Sequence, residues 1–178
     1  IYWQDAPAFV RELVRPINAQ AGDLLKVSDF VKYGTVDGTW QTGTAAYEKR
    51  GVEAFAPEWM ADNCIQCNKC SYVCPHACIR PFVLDEEEKI GFDATTLEMK
   101  APAQFKGMNF RIQVSVLDCT GCSNCVDVCP GNPRAGGKAL GMVGLEQELS
   151  EVANWEYLVK NVKSKQNLLD TTSNPKNT

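Results

Sequence analysis

The stretch CIQCNKCSYVCP, residues 64–75, sets cysteines at positions 64, 67, 70 and 74, with a proline directly behind the last. Thiols this close along one run cannot pair usefully with one another, so disulfides do not explain the run. The pattern returns as CTGCSNCVDVCP, residues 119–130. Cys119, Cys122, Cys125 and Cys129 repeat Cys64, Cys67, Cys70 and Cys74 at a constant offset of 55 positions, and both copies end Cys-Pro. Two sparse copies are not a solenoid array. They read as a duplicated metal-binding unit.

Nine cysteines occur in all, and eight of them lie in the two runs. An odd count suits a disulfide framework poorly, and no secretion signal is visible, which favours a reducing compartment and metal binding. Zinc held by four thiolates usually takes two separated Cys-x-x-Cys pairs, not four cysteines in series. A 4Fe–4S cube fits the runs better, because each of its four iron corners asks for one soft thiolate. Three cysteines at gaps of two wrap a short loop around one cube and turn backbone N–H groups toward its sulfides. The fourth lies past a turn of helix and, in two-cluster folds, ligates the other cube. The proline behind it has no N–H and a fixed φ, so it stops the helix and turns the chain away. The expected ligand sets are therefore crossed: Cys64, Cys67, Cys70 and Cys129 for cluster one, and Cys119, Cys122, Cys125 and Cys74 for cluster two.

Two neighbours of the first run need a role. Cys78 follows Cys74 by four positions. An extra ligand is one reading; a small apolar residue packed beside the cluster is the plainer one, since eight ligands are already present. His76 is the sole histidine, too few for a Rieske-type site, which takes two. It reads as a turn residue after Pro75, close enough to tune a potential.

The rest of the composition narrows the function by exclusion. In 178 residues, 44% are hydrophobic and 22% charged, an ordinary globular balance. The formal net charge of −4 argues against nucleic acid as the main partner. No stretch approaches the ~18 apolar residues of a membrane span, and no signal peptide opens the chain. The first residue is Ile1 rather than Met, which points to processing or to a piece of a longer polypeptide. No phosphate-binding glycine loop and no nucleophile–base signature appears. Clusters held only by cysteine leave no open iron corner, so the expected work is one-electron transfer, at potentials on the order of −400 mV or below.

Along the chain, residues 1–20 read as partly helical, with Phe9, Leu13 and Ile17 in register and Pro16 interrupting. The Gly- and Thr-rich stretch from Tyr33 to Gly51 reads as turns and short extended pieces. This first third shows too little apolar periodicity for a core of its own. After the first run, CIRPFVL reads as a strand leading to a solvated acidic turn at Asp85–Glu88. Residues 93–109 form a connecting excursion. FRIQVSVLDC is a strand whose Phe110, Ile112, Val114 and Val116 alternate with polar residues. The loop GNPRAGGK and the apolar ALGMV follow the second run. An amphipathic helix in two pieces comes next, with Leu145, Leu149, Val152, Trp155, Val159 and Val162 on its apolar face. Lys160, Lys163 and Lys165 read as a solvated face or, less simply, as a dock for an acidic redox partner.

Several segments together resemble the pyruvate:ferredoxin (flavodoxin) oxidoreductases: YEKRG at Tyr47–Gly51, PEWMADNCIQCNKCSYVCPHACIRPF, FRIQVSVLDCTGCSNCVDVCPG, KALGM and EVANWEYLVKNV. The similarity is most specific from Tyr47 to about Leu169 and looser before Tyr47. It implies an α+β fold: a pseudo-two-fold dicluster ferredoxin-like domain with an inserted excursion and a C-terminal helix, preceded by a small irregular EKR region. It implies residues 1–20 as the end of a preceding domain or a linker, 21–56 as the EKR-type region, and 57–178 as the two-cluster domain. Members of that family are several times longer. They act on pyruvate with thiamine diphosphate and Mg, and pass electrons singly along three 4Fe–4S clusters to ferredoxin or flavodoxin. The resemblance thus implies an electron-relay segment of a cytoplasmic, anaerobic, homodimeric enzyme, with the third cluster and the thiamine site elsewhere. Cys78 stands where the family commonly has a small residue such as alanine. A free-standing dicluster ferredoxin, or an electron-transfer subunit of another complex, is the alternative. A third reading keeps the clusters as structural staples.

Overall fold

The computed structural model describes residues 5–100 and 103–168. The chain divides between Arg50 and Gly51 into two compact units, each with its own buried cluster.

In the first unit a π-helical turn, Val10–Val14, runs directly into α1 (Arg15–Asn18). Pro16 does not interrupt the helix. The backbone stays helical through it, passing from the π-helical turn into α1. Ala6, Phe9, Val10, Leu13 and Val14 are buried, with Leu25, Phe30, Tyr33 and Tyr47 packed around them. The Phe9 ring meets Tyr33 and Trp40 edge-on at 5.4 and 4.9 Å. A short α2 (Val27–Lys32) begins where the Lys26 N–H donates to Asp29 Oδ2 at 2.8 Å. Glu12 pairs with Lys32 and accepts from the Tyr33 hydroxyl at 2.6 Å. The region is more than a lead-in without a core, and its apolar cluster runs across residue 20 without a break. The expected division into 1–20 and 21–56 has no counterpart in the packing.

The second unit is built on two small antiparallel sheets. β1 (Phe55–Trp59) pairs with β5 (Leu140–Gly144), Phe55 opposite Gly144 and Trp59 opposite Leu140. β2 (Ile79–Leu84) pairs with β4 (Asn109–Val114), and β4 also pairs with β3 (Leu97–Glu98), giving the order β2-β4-β3. So the strand before each cysteine run pairs with the strand that follows the other run. Pro57 lies mid-strand in β1, tolerated because β1 has one neighbour only. The expected domain boundary at 56/57 falls inside this strand; the compact unit begins at Gly51, whose N–H donates to the Leu117 carbonyl at 3.0 Å.

Short helices lie within the runs: α3 (Lys69–Val73) and α5 (Asn124–Asp127). The acidic stretch folds as α4 (Glu86–Lys89), capped by Asp85, which accepts from the Glu88 N–H at 3.0 Å. It is not simply solvated. Lys165 reaches back to both Glu88 carboxylate oxygens at 2.7 Å, so part of the basic stretch closes on the acidic one. The terminal helix comes in two pieces, α6 (Leu145–Glu148) and α7 (Glu151–Asn161). The break shifts its register: Leu158 is fully buried, whereas Leu149 and Val159 are exposed. The tail after Leu168 lies outside the described residues.

Candidate metal centre

Each run takes the same local path. Gln66 and Gly121, the second residues after Cys64 and Cys119, stand in the left-handed region at φ 60° and 66°. Asn68 and Ser123 do the same at 59° and 64°, and each then starts a helix whose second residue is a buried cysteine, Cys70 or Cys125. These four positions match pairwise at the 55-residue offset of the sequence repeat. The left-handed kinks curl the loop so that successive thiols face a common interior. At Gly121 a Cβ would lie 3.0 Å from the Phe55 carbonyl oxygen and 3.2 Å from Glu53 Cβ, a tight fit at a left-handed position that favours glycine.

Two hollows result. The first is walled by Cys64, Cys67, Cys70 and Cys129, with Trp59, Ile65, Ile112 and Leu140. The second is walled by Cys119, Cys122, Cys125 and Cys74, with His76, Cys78, Thr120 and Met142. Each is lined by three thiols from one run and the last thiol of the other. All nine cysteines are free of disulfides. Among the described residues no three His, Cys, Asp or Glu side chains converge closely enough to hold a single ion. The thiols stand around a space instead.

Backbone N–H groups point at the sulfurs in matched pairs. Gln66 N donates to Cys64 Sγ at 3.5 Å and Gly121 N to Cys119 Sγ at 3.4 Å. Cys78 N donates to Cys74 Sγ and Ala139 N to Cys129 Sγ, both at 3.3 Å. Such donors favour sulfur that carries negative charge. Burial, with the neighbouring thiols adding, pushes Cys70 up to about 12 and Cys125 up to about 11, and Cys119 is raised by the same cause. These are not activated nucleophiles, whose thiols are held low. They are donors that ionise when a metal takes the proton's place, and four soft thiols around one space fit an iron–sulfur cube.

Cys78 and His76 sit at the second hollow only. The Cys78 thiol is buried and donates to the Asp118 carbonyl at 2.9 Å, and burial pushes it up to about 12. His76 Nδ1 lies 3.5 Å from Thr120 Oγ1, on the turn after Pro75. Sequence reasoning missed the buried carboxyls of Glu53 and Glu148 and a buried arginine. Glu53 is 7% exposed and neither of its carboxyl oxygens has a hydrogen-bond partner among the described residues, so burial raises it. Arg111 and Gln113, taken as the polar side of an alternating strand, are buried because α7 covers that face and supplies Glu151. Nothing in a 6-residue alternation marks a partner lying 40 positions downstream.

Comparison with known proteins bears on the same residues. Positions 63–132 match the family of 4Fe–4S dicluster domains, and positions 2–53 match EKR, a domain of unknown function. The chain is 47% identical over 155 residues to a pyruvate:ferredoxin oxidoreductase of Moorella thermoacetica, covering 86% of this chain and 13% of the relative. Through both its EKR and its dicluster regions the chain is similar to one segment of the pyruvate oxidoreductases. A pyruvate-flavodoxin oxidoreductase of Enterobacter agglomerans is 45% identical over 159 residues, covering 85% of this chain and 12% of the relative. A mitochondrial pyruvate dehydrogenase [NADP(+)] of Euglena gracilis is 43% identical over 152 residues, covering 85% of this chain and 8% of the relative. The dicluster chain thus spans about an eighth or less of the length of these curated relatives. Among its described residues no helix is long and apolar enough to cross a membrane.

Proposed function

We propose that this chain is the electron-relay segment of a cytoplasmic pyruvate:ferredoxin or pyruvate:flavodoxin oxidoreductase, and that each hollow holds one 4Fe–4S cluster. The observation that carries the reading is the ring of four thiols around each hollow, three from one run and one from the other. On this reading Cys64, Cys67, Cys70 and Cys129 ligate cluster one, and Cys119, Cys122, Cys125 and Cys74 ligate cluster two. Clusters bound this way supply one-electron redox chemistry, with no open iron corner for a substrate. The chain's own part is to hold the thiols in place for the metal to ionise, to aim backbone N–H groups at the sulfurs, and to bury Cys64, Cys70 and Cys125. The exchange of strand partners, β1 with β5 and β4 with β2, supports a pseudo-two-fold domain. Residues 83–109 are then the excursion inserted between its halves. Residues before Gly51 form the EKR region. Thiamine diphosphate, Mg and a third cluster belong to the remainder of a homodimeric enzyme, and the segment alone does not turn over pyruvate.

Anaerobic analysis of iron and acid-labile sulfide, with electron paramagnetic resonance of the dithionite-reduced chain, tests this. About eight of each per chain and spin-coupled signals are expected for two neighbouring cubes. Zinc, or about four of each, overturns it.

A further inference from the structure

A third cavity, of about 540 Å³, lies between β1, β4, α6 and α7; no thiol lines it, and it shares Trp59 and Ile112 with the wall of the first hollow. Its size is that of a small-ligand site. Around it stand five carboxylates and one arginine: Glu58, Asp62, Asp93, Glu148, Glu151 and Arg111. The arginine is already committed. It donates to Gln113 Oε1 at 2.7 Å, to the Thr95 carbonyl at 2.7 Å and to Glu151 Oε2 at 2.5 Å, and it lies over the Trp59 and Phe92 rings. Glu151 is thereby matched. Glu58, Asp62 and Asp93 are exposed at the rim.

Glu148 is the unusual member. It is 8% exposed, faces this cavity from α6, and no hydrogen-bond donor reaches its carboxyl among the described residues. A buried carboxyl without a donor is costly to keep. The charged groups acting on it are Glu151 on α7 and Glu58 on β1, which repel its charge, and Arg111 on β4, which offsets them in part. Burial, then these neighbours, pushes its carboxyl up to about 7. A positive group entering the cavity would satisfy Glu148 and relieve the repulsion from its neighbours together.

We propose that this cavity binds an organic cation, a guanidinium or primary ammonium head group, with Glu148 as its buried counter-charge. A compact metal ion fits less well, because no three of these carboxylates converge on one ion position. A planar guanidinium spreads its donors over several directions and so reaches separated acceptors. The site is independent of the iron–sulfur reading: none of the cysteines lines it.

The test is calorimetric titration of the full 178-residue chain with its clusters in place, using n-butylguanidinium, a capped Gly-Arg-Gly peptide and Mg²⁺ as separate probes. One-to-one binding of a guanidinium probe is expected, about tenfold tighter at pH 8 than at pH 6, because only ionised Glu148 competes well for the cation. Proton release should accompany binding at pH 6. Glu148→Gln should weaken binding at pH 8 about tenfold and flatten the pH dependence. Asp93→Asn, at the exposed rim, should weaken it about twofold and serves if the buried variant fails to fold. Preference for the free guanidinium assigns the site to a small molecule; preference for the peptide assigns it to an arginine borne by a protein. No binding of either probe overturns the proposal, as does binding whose pH dependence survives in Glu148→Gln, or a site filled by Mg²⁺ in their place.

Discussion

Around the first hollow the wall between the thiols holds Trp59, Ile65, Ile112 and Leu140, with Asn63 and Asn68 as its polar side chains and no titratable group besides the four thiols. Around the second it includes His76, Thr120 and the spare thiol of Cys78, and the orphaned carboxyl of Glu53 adds its charge near Cys119. The backbone does not share this difference. The left-handed kinks at Gln66/Gly121 and Asn68/Ser123, the helix starts at Lys69/Asn124 and the N–H···S contacts of Gln66 and Gly121 agree across the 55-residue offset; the donors to Cys74 and Cys129 come from unmatched positions, Cys78 and Ala139. Duplication has kept the parts that grip and changed the parts that surround. In an iron–sulfur protein, ligand number decides whether a cluster is held, while hydrogen bonds, charge and burial decide its potential. The two sites are alike in the first respect and unlike in the second.

The largest test of this comparison is to exchange the crossing thiols. Cys74→Ser should drop iron from about eight to about four per chain, with the signal of the Cys119 site lost and that of the Cys64 site kept. Cys129→Ser should do the reverse. Loss of the Cys64 site in Cys74→Ser would show each run closing on itself.

Gly131→Ala comes next. Gly131 stands at φ 62°, two positions past Cys129, and a Cβ there would lie 2.0 Å from the Gly137 carbonyl oxygen. That oxygen accepts the Asn132 N–H, so the loop cannot simply withdraw. A loss of about 4 kcal/mol or more in chemical denaturation is expected, with the first site emptied before the second; a loss under about 1 kcal/mol would mean that this loop is free to move.

Arg111→Ala should cost about 3 kcal/mol, since it leaves the half-buried Glu151 carboxylate without its counter-charge, with only the Gln113 and Asn154 amides still donating to it. Burial alone would raise Glu151; the Gln113 amide and the Arg111 charge hold it below its usual value instead. A carboxyl held low in the fold contributes stability above its unfolded pKa and loses it as pH falls through the folded one. The cost of Arg111→Ala should therefore shrink in acid, measured by thermal melts across pH. Because Arg111 rests on Trp59, which walls only the first hollow, the Cys64 site should be disturbed and the Cys119 site spared.

The smallest change is Cys78→Ala. It removes one hydrogen bond to the Asp118 carbonyl and should cost about 1 kcal/mol with iron content unchanged. A fall to about four irons would make Cys78 a ligand.

The grip was legible in the sequence because it is local: the intervals between cysteines and the closing prolines carry it within twelve residues. β2, β4 and the two-piece terminal helix were legible for the same reason, each having a short pattern of its own. What stayed hidden depends on distant partners. Arg111 and Gln113 sit at positions that read as solvent-facing and are buried only because Glu151 arrives from α7. The core of the first unit escaped notice because its π-helical turn departs from the usual helical period and its aromatic partners come from turns. Glu148 lies in a polar-looking helix start and gives no sign that it faces inward.

The interleaved walls also bear on how the molecule is born. A ribosome delivers Cys64, Cys67 and Cys70 well before Cys129, with 58 residues between the third thiol and the last. During that interval the nascent chain offers an incomplete socket, and β1 waits unpaired for β5 still further along. With the proposed ligand sets, loading of the first hollow waits for synthesis of Cys129, so iron and sulfide reach a folded unit rather than the first run as it emerges.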